Sequence, residues 1–392
     1  DSEKGISIAH NRLSIIDLSE KGHQPMKSRN GRFIITFNGE IYNYQELKNF
    51  INNNFPKKIS WYGNSDTEVL LQAIELIGLR KTLKLITGMF AFALWDKSDN
   101  ELYLVRDRFG EKPLYWGFLN KKNNEVDLVF GSELSAIKNL KSFNNKICKK
   151  ALNQYFNYGY ISAPNCIYED LYQLPPSHFV KIEYKKLKEN PNYKPNPQCW
   201  YEFINKKEAN YSNTKESINE LEVLLTKSIS LQNNADVPLC TFLSGGIDST
   251  LVATLLQKST SKKINTLTIS FPEFDKKKEL FNEGPFASKI AKHIGSNHYD
   301  IPITAKDALK IIPSLSKVYS EPFSDSSQIA TFLLCNATNN AGFKVALTGD
   351  GADELFGGYN RHIFLPKIYS FISKKPHNIK KILSFLLKKI PI

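Results

Sequence analysis

A glycine-rich segment near the middle of the chain has the residue types of a phosphate-binding loop. Residues 243–250 read LSGGIDST and lie between a run that predicts a strand and a run that predicts a helix. Glycines let a polyphosphate approach the backbone, and the N–H groups at a helix N-terminus attract anions. The glycine spacing and the missing GK[ST] exclude a Walker A loop. The alternative is a structural glycine turn capped by Asp248 or Ser249.

A second segment, about a hundred residues later, concentrates carboxylates behind another predicted strand. The apolar run 345–348 is followed by GDGADELFGGY at residues 349–359. Its three acids, Asp350, Asp353 and Glu354, repel one another unless they meet cations or a helix N-terminus. Ligands of open parallel sheets bind outside the carboxyl ends of the strands, so we expect both loops to meet at one magnesium-nucleotide site. A glycine loop followed by an acidic helix turn is the alternative.

Both segments resemble known motifs. The first resembles the SGGxDS signature of the PP-loop ATP pyrophosphatases, which adenylate a substrate. The second resembles the [ST]G[DE]GxDE-(V/L)FGGY motif of the glutamine-hydrolysing asparagine synthetases. The resemblance implies ATP and Mg²⁺ as cofactors, Asp248 and Asp353 as metal ligands, and Asp350 as the acid needed to form β-aspartyl-AMP. It assigns ATP and pyrophosphate binding to Leu243, Ser244, Gly245, Gly246, Asp248, Ser249, Ile269, Thr348 and Gly349.

The first part of the chain carries, in order, seven strings that resemble the glutaminase domain of the same family. They lie at residues 10–17, 22–25, 37–43, 63–66, 88–96, 106–115 and 132–134. The resemblance implies that glutamine is bound by Arg12, Leu13, Ser14, Ile15, Ile16, Asn38, Gly39, Glu40 and Asp66.

Glutamine is a zwitterion, so Arg12 would face its α-carboxylate and Asp66 its α-ammonium. Asn38 and Gly39 are the candidate catalytic donors to the oxyanion of amide hydrolysis. Each residue also has a simpler interpretation: a surface salt bridge for Arg12, and a hairpin turn for Asn38 and Gly39.

The resemblance also predicts a missing group. The nucleophile of the family is a cysteine at the mature N-terminus, whose own α-amine serves as the base. The chain begins at Asp1 and has no cysteine before Cys148, so we expect this polypeptide as given to be unable to hydrolyse glutamine. The family also continues beyond Tyr359 with a helical region that supplies an active-site lysine. We interpret the basic run 374–389 as an interrupted part of that helical layer.

Two patterns of elements must position these residues. Short apolar runs at 6–8, 13–16, 33–37, 89–95, 102–105, 128–130 and 179–182 predict antiparallel strands, and 67–76 predicts a helix capped by Ser65 or Asp66. Later, helices at 214–231, 249–257, 285–294 and 305–315 alternate with strands at 237–243, 266–271 and 345–348, which is typical of a parallel sheet. We therefore expect an α+β glutaminase domain of αββα layers at 1–184, a linker at 185–213, and an α/β synthetase domain at 214–392.

The amino-acid composition limits the class of protein and the cellular compartment that we expect. The chain has 392 residues, 41% of them apolar and 23% charged, and no apolar run of membrane-spanning length or signal peptide. Its five scattered cysteines indicate neither a disulfide framework nor a zinc site, and we expect a cytoplasmic location. The net charge of +13 is spread over asparagine-rich segments, which favours a solvated surface over nucleic-acid binding.

The predicted activity is ATP-dependent amidation of aspartate to asparagine, with glutamine or ammonia as nitrogen donor and AMP and pyrophosphate as products. Three alternatives stay open. The acceptor could be a sugar or natural-product carboxylate, because Asp350 belongs to the Asp branch of the family. The chain could also be an inactive fragment, or a tRNA-modifying PP-loop enzyme, although the latter leaves the glutaminase strings unexplained. Residues 282–286 and 321–325 are candidate acceptor-pocket strings or plain loops. The oligomeric state is open, a homodimer included.

Overall fold

The computed structural model describes residues 5–55, 59–120, 126–190, 192–203, 213–274 and 282–381. The chain divides into two compact units, of which the first combines residues 1–239 with 302–345 and the second combines 240–301 with 346–392. The strands are β1 (Met26–Lys27), β2 (Phe33–Ile41), β3 (Gly88–Asp96), β4 (Glu101–Arg106), β5 (Tyr115–Asn120), β6 (Val126–Gly131), β7 (Leu171–Gln173), β8 (His178–Glu183), β9 (Gln198–Cys199), β10 (Leu239–Phe242), β11 (Asn265–Ser270), β12 (Asn297–Pro302) and β13 (Val345–Leu347).

The helices complete the element order. They are α1 (Tyr44–Asn54), α2 (Asp66–Ile77), α3 (Leu79–Leu85), α4 (Leu134–Lys138), α5 (Lys149–Tyr158), α6 (Tyr184–Glu189), α7 (Thr214–Gln232), α8 (Ile247–Ser259), α9 (Gly284–Ile294), α10 (Ala305–Ile311), α11 (Leu315–Val318), α12 (Ser327–Asn340), α13 (Ala352–Phe356) and α14 (Asn360–Ser373). No helix among the described residues is both long and apolar enough to cross a membrane.

The first unit contains two antiparallel sheets. The larger sheet has the order β1-β2-β3-β4-β8-β9 and the smaller one β6-β5-β7. Alternate residues of a strand point to opposite faces, so both faces of the larger sheet are available for packing. One buried cluster joins β2 and β3 to α1, α2 and α3, a second joins β3, β4 and β8 to β5, and a third joins β5 and β6 to α4 and α5. These clusters confirm the predicted αββα layers.

Helix α2 shows how the local sequence sets the first layer. The Ser65 hydroxyl accepts a hydrogen bond from the Glu68 N–H, which caps the first turn. The side chains of Val69, Leu70 and Ile74 are at most 2% exposed and face the sheet. The sequence predicted both this helix and its cap, because cap and apolar spacing agree.

The second unit contains most of a four-stranded sheet of order β12-β11-β10-β13. Strands β10 and β11 pair in parallel, with Thr241 opposite Thr266 and Phe242 opposite Leu267. Helix α8 follows β10 directly, and α9 packs against α8 and β11. The parallel pairing confirms the predicted α/β class of this half.

The structure corrects two sets of predicted elements, and a third prediction lies partly outside the described residues. Residues 6–8 and 13–16 are not strands, although Ile6 and Ile8 pack against the second buried cluster and Ile16 is buried. The helix predicted at 305–315 breaks after α10, because Pro313 lacks the N–H that a continued α-helix needs and a short 3₁₀ turn replaces it. The basic run 374–389, predicted to belong to a helical layer, lies partly outside the described residues, which end at 381.

Candidate active sites

The Arg12 side chain folds back over its own loop. Its guanidinium donates to the carbonyl oxygens of Ile16 at 2.9 Å and Asp17 at 2.7 Å, and more weakly to that of Ser19 at 3.4 Å. A side chain at Gly22 would collide with this guanidinium. Carbonyl oxygens orient the cation without neutralising it, so the arrangement leaves a positive charge that can attract an anion.

Asp17 joins this loop to the one at residues 63–66. Its carboxylate accepts hydrogen bonds from the Asn64 N–H at 2.7 Å and from the Ser19 N–H at 3.1 Å. Burial would raise the pKa of Asp17, but these hydrogen bonds, together with one from the Ser19 hydroxyl, lower it below the ordinary value. The residue has a left-handed backbone with φ of 58°, which a non-glycine residue keeps only when neighbouring contacts hold it.

Two buried carboxylates lie close to this loop. Asp66 accepts hydrogen bonds from the Ile41 N–H at 2.9 Å and the Thr67 N–H at 2.8 Å, and desolvation raises its pKa to about 6. Desolvation also raises the pKa of Glu40 to about 7, and the negative charge of Asp66 adds to that increase. Two neighbouring carboxylates that are shielded from water repel each other, and a cation bound next to them would stabilise their ionised forms. The ammonium group of a ligand could be that cation.

Asn38 and Gly39 lie inside strand β2 and not at a hairpin turn. Asn38 pairs with Ala91 and Gly39 with Phe90 in the antiparallel register of β2 and β3. The Asn38 Nδ2 donates to the Ser132 hydroxyl at 2.9 Å. Gly39 has φ of 153°, and a Cβ there would collide with the Met89 carbonyl oxygen. Only glycine fits this close pairing of two backbones.

Residues 106–112 form a loop, anchored by the buried Arg106 and Asp107, whose role the sequence motifs did not explain. The Asp107 carboxylate accepts the N–H groups of Phe90, Phe109, Glu111 and Lys112. The Arg106 guanidinium donates to three carbonyl oxygens, those of Gly110, Lys112 and Leu174. The loop brings the Lys112 charge near Glu40, whose pKa it lowers against the effect of burial. The signal in the sequence was the adjacent charged pair Arg106 and Asp107 directly after the apolar run 102–105, because charged side chains next to a buried strand need hydrogen-bond partners.

The loop at residues 243–250 presents its backbone to solvent. Ser244 and Ser249 share a hydroxyl–hydroxyl hydrogen bond of 2.8 Å, and the Gly246 N–H donates to the Ser244 hydroxyl at 3.1 Å. Gly245, Gly246 and Ile247 are exposed at the start of α8. Since the first N–H groups of a helix have no partner within it, this turn can hold an anion.

The loop after β13 closes on the loop after β10. A Cβ built on Gly349 would lie 2.8 Å from the Ser249 amide nitrogen and 3.0 Å from the Asp248 Cβ. The Thr348 hydroxyl donates to the Asp350 carboxylate at 3.0 Å. Leu243 is buried, and its N–H donates to the Leu267 carbonyl at 3.0 Å, while Ile269 is half-buried in β11. The structure therefore brings the predicted nucleotide-binding residues of 243–249 together with Thr348 and Gly349.

The predicted Mg²⁺ site is of the kind in which the nucleotide supplies part of the coordination. Within the described part of the chain, no three His, Cys, Asp or Glu side chains converge as a metal-binding group. Mg²⁺ needs no such group, because it commonly binds one or two carboxylates and the phosphates of a nucleotide. The Asp248 side chain lies beside Gly349 at the exposed turn, which suits this mode of binding. Asp353 is half-buried in α13, where its carbonyl accepts the N–H groups of Gly357 and Gly358.

The two candidate acceptor strings are both well ordered by hydrogen bonds. In the first unit the half-buried Glu321 carboxylate accepts the Ile167 N–H at 2.7 Å, the Gln173 amide at 2.6 Å and the Tyr115 hydroxyl at 3.1 Å. Desolvation raises the pKa of Glu321 although these hydrogen bonds act to lower it. In the second unit the buried Asn282 accepts the Phe271 N–H at 3.1 Å.

Comparison with known proteins places the whole chain in one family. The model of the glutamine amidotransferase domain matches residues 2–194, and that of asparagine synthase matches residues 220–378. The chain is 31% identical, over 99% of its length, to a protein of Methanocaldococcus jannaschii named putative asparagine synthetase [glutamine-hydrolyzing] 2, of which it covers 72%.

Two further relatives extend the comparison. The chain is 29% identical to asparagine synthetase [glutamine-hydrolyzing] 1 of Bacillus subtilis, with 99% of this chain and 57% of that protein covered. It is 28% identical to a protein of Gibberella zeae named amidase chry2, with 91% of this chain and 51% of that protein covered. The chain thus spans from about half to about three quarters of the length of these relatives. With both family models in order and nearly the full chain aligned, the chain belongs to the family of the glutamine-hydrolysing asparagine synthetases.

Proposed function

We propose that the protein carrying this chain converts aspartate to asparagine with ATP, using glutamine or ammonia as the nitrogen donor. The observation that supports this most directly is the approach of Gly349 to Ser249 and Asp248, which brings the two nucleotide motifs of the family into one place. The chain covers 57% and 51% of the length of two of these relatives, so the activity is proposed for the whole protein rather than assigned to this chain alone.

The proposed first step is adenylation at the loops after β10 and β13. A β-carboxylate oxygen of aspartate attacks the α-phosphorus of ATP, and the bond to pyrophosphate breaks. Pyrophosphate is held by the exposed turn at Gly245 and Gly246 and the N-terminus of α8. Mg²⁺, held by Asp248 and Asp353, would neutralise the phosphate charge. We assign Asp350 to formation of β-aspartyl-AMP.

The proposed second site supplies ammonia. The Arg12 guanidinium binds the α-carboxylate of glutamine, and the buried pair of Glu40 and Asp66 binds its α-ammonium. The N-terminal cysteine that the family uses as nucleophile would attack the side-chain amide carbon of glutamine, and the Asn38 amide and the Gly39 N–H stabilise the oxyanion that forms. The C–N bond then breaks and releases ammonia, and water cleaves the remaining thioester to give glutamate and the free cysteine. The nitrogen of ammonia then attacks the acyl carbon of β-aspartyl-AMP, the bond to AMP breaks, and a proton leaves the new amide.

We also propose functional domains at 1–184 and 214–392 joined by residues 185–213. The two family models support a division of this kind, since one ends at 194 and the other begins at 220. The joining segment is not wholly irregular, because β9 pairs with β8 through Gln198 opposite Phe179.

Pyrophosphate release tests the proposal. The full-length protein is incubated with ATP and Mg²⁺, with and without aspartate, and with glutamine or ammonium as donor. We expect release that depends on aspartate, with asparagine and AMP formed in equal amounts. The Asp350→Asn variant should lose this release, while the exposed control Glu220→Ala should keep it. Pyrophosphate release at the same rate with and without aspartate would refute the assignment of aspartate as the acceptor.

A different carboxylate acceptor is the second candidate function. Asp350 is the Asp-branch form of the motif, and a relative at 28% identity is named an amidase rather than an asparagine synthetase. The same assay with uronic acids or other small carboxylates in place of aspartate separates the two candidates. Turnover with one of these, and none with aspartate, would favour the second.

A further inference from the structure

We infer that Asp236 is a positioning residue of the glutamine site. It lies in the region matched by the asparagine synthase model, whereas every residue proposed to bind glutamine lies in the region matched by the amidotransferase model. The inference rests on the proposed function, because it assumes that Arg12 and its loop bind glutamine. It adds a residue that the sequence motifs do not mark.

Asp236 makes a two-point bridge to the loop of Arg12. The Asp17 N–H donates to the Asp236 carboxylate at 2.8 Å, across 219 positions of sequence. The Asp236 N–H in turn donates to the Ile15 carbonyl at 2.9 Å. All three residues belong to the first compact unit. A pair of opposed hydrogen bonds defines the distance and the orientation of the two segments better than one bond does.

The loop needs such a support because it is not part of a sheet. Residues 13–16 form no strand, so their backbone groups require other partners. The carbonyls of Ile16 and Asp17 hold the Arg12 guanidinium, and the Asp17 carboxylate holds Asn64 next to the turn that starts α2 at Asp66. Asp17 therefore stands between the cation and the carboxylate that are proposed to bind glutamine. Asp236 is what holds the Asp17 N–H.

The position of Asp236 in the chain gives the bridge a second consequence. Strand β10 begins three residues later at Leu239, and Ser244 follows Asp236 by eight residues. A shift of the Arg12 loop on binding glutamine would be transmitted to the start of the strand that carries the pyrophosphate loop. By thermodynamic linkage, glutamine and nucleotide would then alter each other's affinity by the same factor.

The test compares three variants of the full-length protein. Asp236→Ala removes the acceptor, Asp236→Asn keeps an oxygen that can accept the Asp17 N–H, and Glu220→Ala is a control on the exposed face of α7. Calorimetry gives the Kd for glutamine, and for the magnesium complex of α,β-methylene-ATP with and without saturating glutamine.

We expect Asp236→Ala to weaken glutamine binding about tenfold, with nucleotide affinity in the absence of glutamine within about twofold of the unaltered protein. The Asn variant should recover most of the glutamine affinity. In the unaltered protein, glutamine should change the Kd for nucleotide about fivefold, and Asp236→Ala should abolish this change.

Each other result has a defined meaning. Glutamine binding by Asp236→Ala at unaltered affinity would overturn the inference, as would an Asn variant as weak as the Ala variant. Equal losses for both ligands would indicate a merely structural role and would also overturn it. If the unaltered protein binds neither ligand, the proposed function fails and not only the inference.

Hydrogen exchange on the unaltered protein covers the case in which Asp236→Ala does not fold. Glutamine should slow the exchange of a peptide spanning residues 13–17 and of one spanning 236–243. Protection of the first peptide without the second would show that the bridge transmits nothing, and would contradict the inferred coupling.

Discussion

The proposed glutamine site and the proposed nucleotide loops are built in opposite ways. Around the glutamine site, the carboxylates of Asp17, Asp66 and Asp107 are at most 8% exposed, and each accepts at least two backbone N–H groups. At the proposed pyrophosphate loop, Gly245 and Gly246 are exposed and the Ile247 side chain is 84% exposed. The first site is organised before any ligand arrives, while the second offers backbone to a ligand that brings its own charge.

This difference predicts where each site is vulnerable. A preorganised site made of buried hydrogen bonds is coupled to the stability of its domain, because each lost partner leaves a buried polar group unsatisfied. A site made of exposed backbone is decoupled from stability, and changes there should appear mainly in ligand affinity. Five experiments test the contrast.

The largest effect is expected at Gly39. Gly39→Ala should destabilise the chain by about 3 kcal/mol, because the added Cβ meets the Met89 carbonyl oxygen in the paired strand. Chemical denaturation measures this change in the free energy of unfolding. Gly31→Ala is the matched control, since Gly31 also has a positive φ, 73°, but open space around the added atom. Equal losses in both variants would mean that backbone strain, and not the collision, sets the cost.

At the nucleotide loops, Gly349→Ala should weaken nucleotide binding by at least about tenfold with little change in stability. The added atom would lie 2.8 Å from the Ser249 amide nitrogen and would push the two loops apart. Titration with the magnesium complex of α,β-methylene-ATP measures the Kd. Gly131→Ala, where the closest atom is 3.4 Å away, is the control. A loss of stability as large as that of Gly39→Ala would contradict the contrast between the sites.

The pH dependence of glutamine binding should reflect Glu40 and Asp66. Their pKa values near 7 and 6 mean that both carboxyls become negative only as the pH rises through this range. Glutamine affinity should therefore increase by up to about tenfold per pH unit between pH 5 and 7, then level off. Glu40→Gln should remove the upper part of the rise, and the exposed Glu46→Gln should leave it unchanged.

The same pKa shifts of Glu40 and Asp66 should lower the free energy of unfolding of the unliganded chain as the pH rises, whereas they raise its affinity for glutamine. Both values are raised above those of unfolded chains, so the contribution of these groups is fully present below about pH 4 and is lost as the pH rises through 6 and 7. Glutamine should thus stabilise the chain most where the unliganded glutamine site stabilises it least. Thermal unfolding with and without glutamine at pH 5 and pH 7.5 measures this divergence, and parallel curves at both pH values would count against it.

The smallest effect is expected at Ser244. Ser244→Ala removes the acceptor of the Gly246 N–H but leaves the backbone of the loop in place, so nucleotide affinity should fall by about fivefold or less. Ser259→Ala at the far end of α8 is the matched control. A much larger loss would show that side chains, rather than backbone, carry nucleotide binding.

Local sequence was sufficient for elements whose signals agree. Helix α2 has its Ser65 cap and an apolar face, and β2 and β3 are apolar runs bounded by turn residues. It was not sufficient at residues 13–16, where a strand-like apolar run forms no strand and its carbonyls accept instead from the Arg12 side chain, at Ile16, and from the Asp236 N–H, at Ile15. The break of the helix at Pro313 was readable from the sequence, because proline interrupts an α-helix at that position.

The sequence by itself determined the family, the fold classes and the chemical character of each motif, since glycine spacing and residue types belong to short segments. Only the tertiary structure decided which carboxylates are buried and what holds them. The bridge from Asp236 to Asp17 spans 219 positions, and the contacts of Glu321 span 148 to 206. Burial and hydrogen bonding at such separations depend on how distant segments pack, which local sequence patterns do not encode.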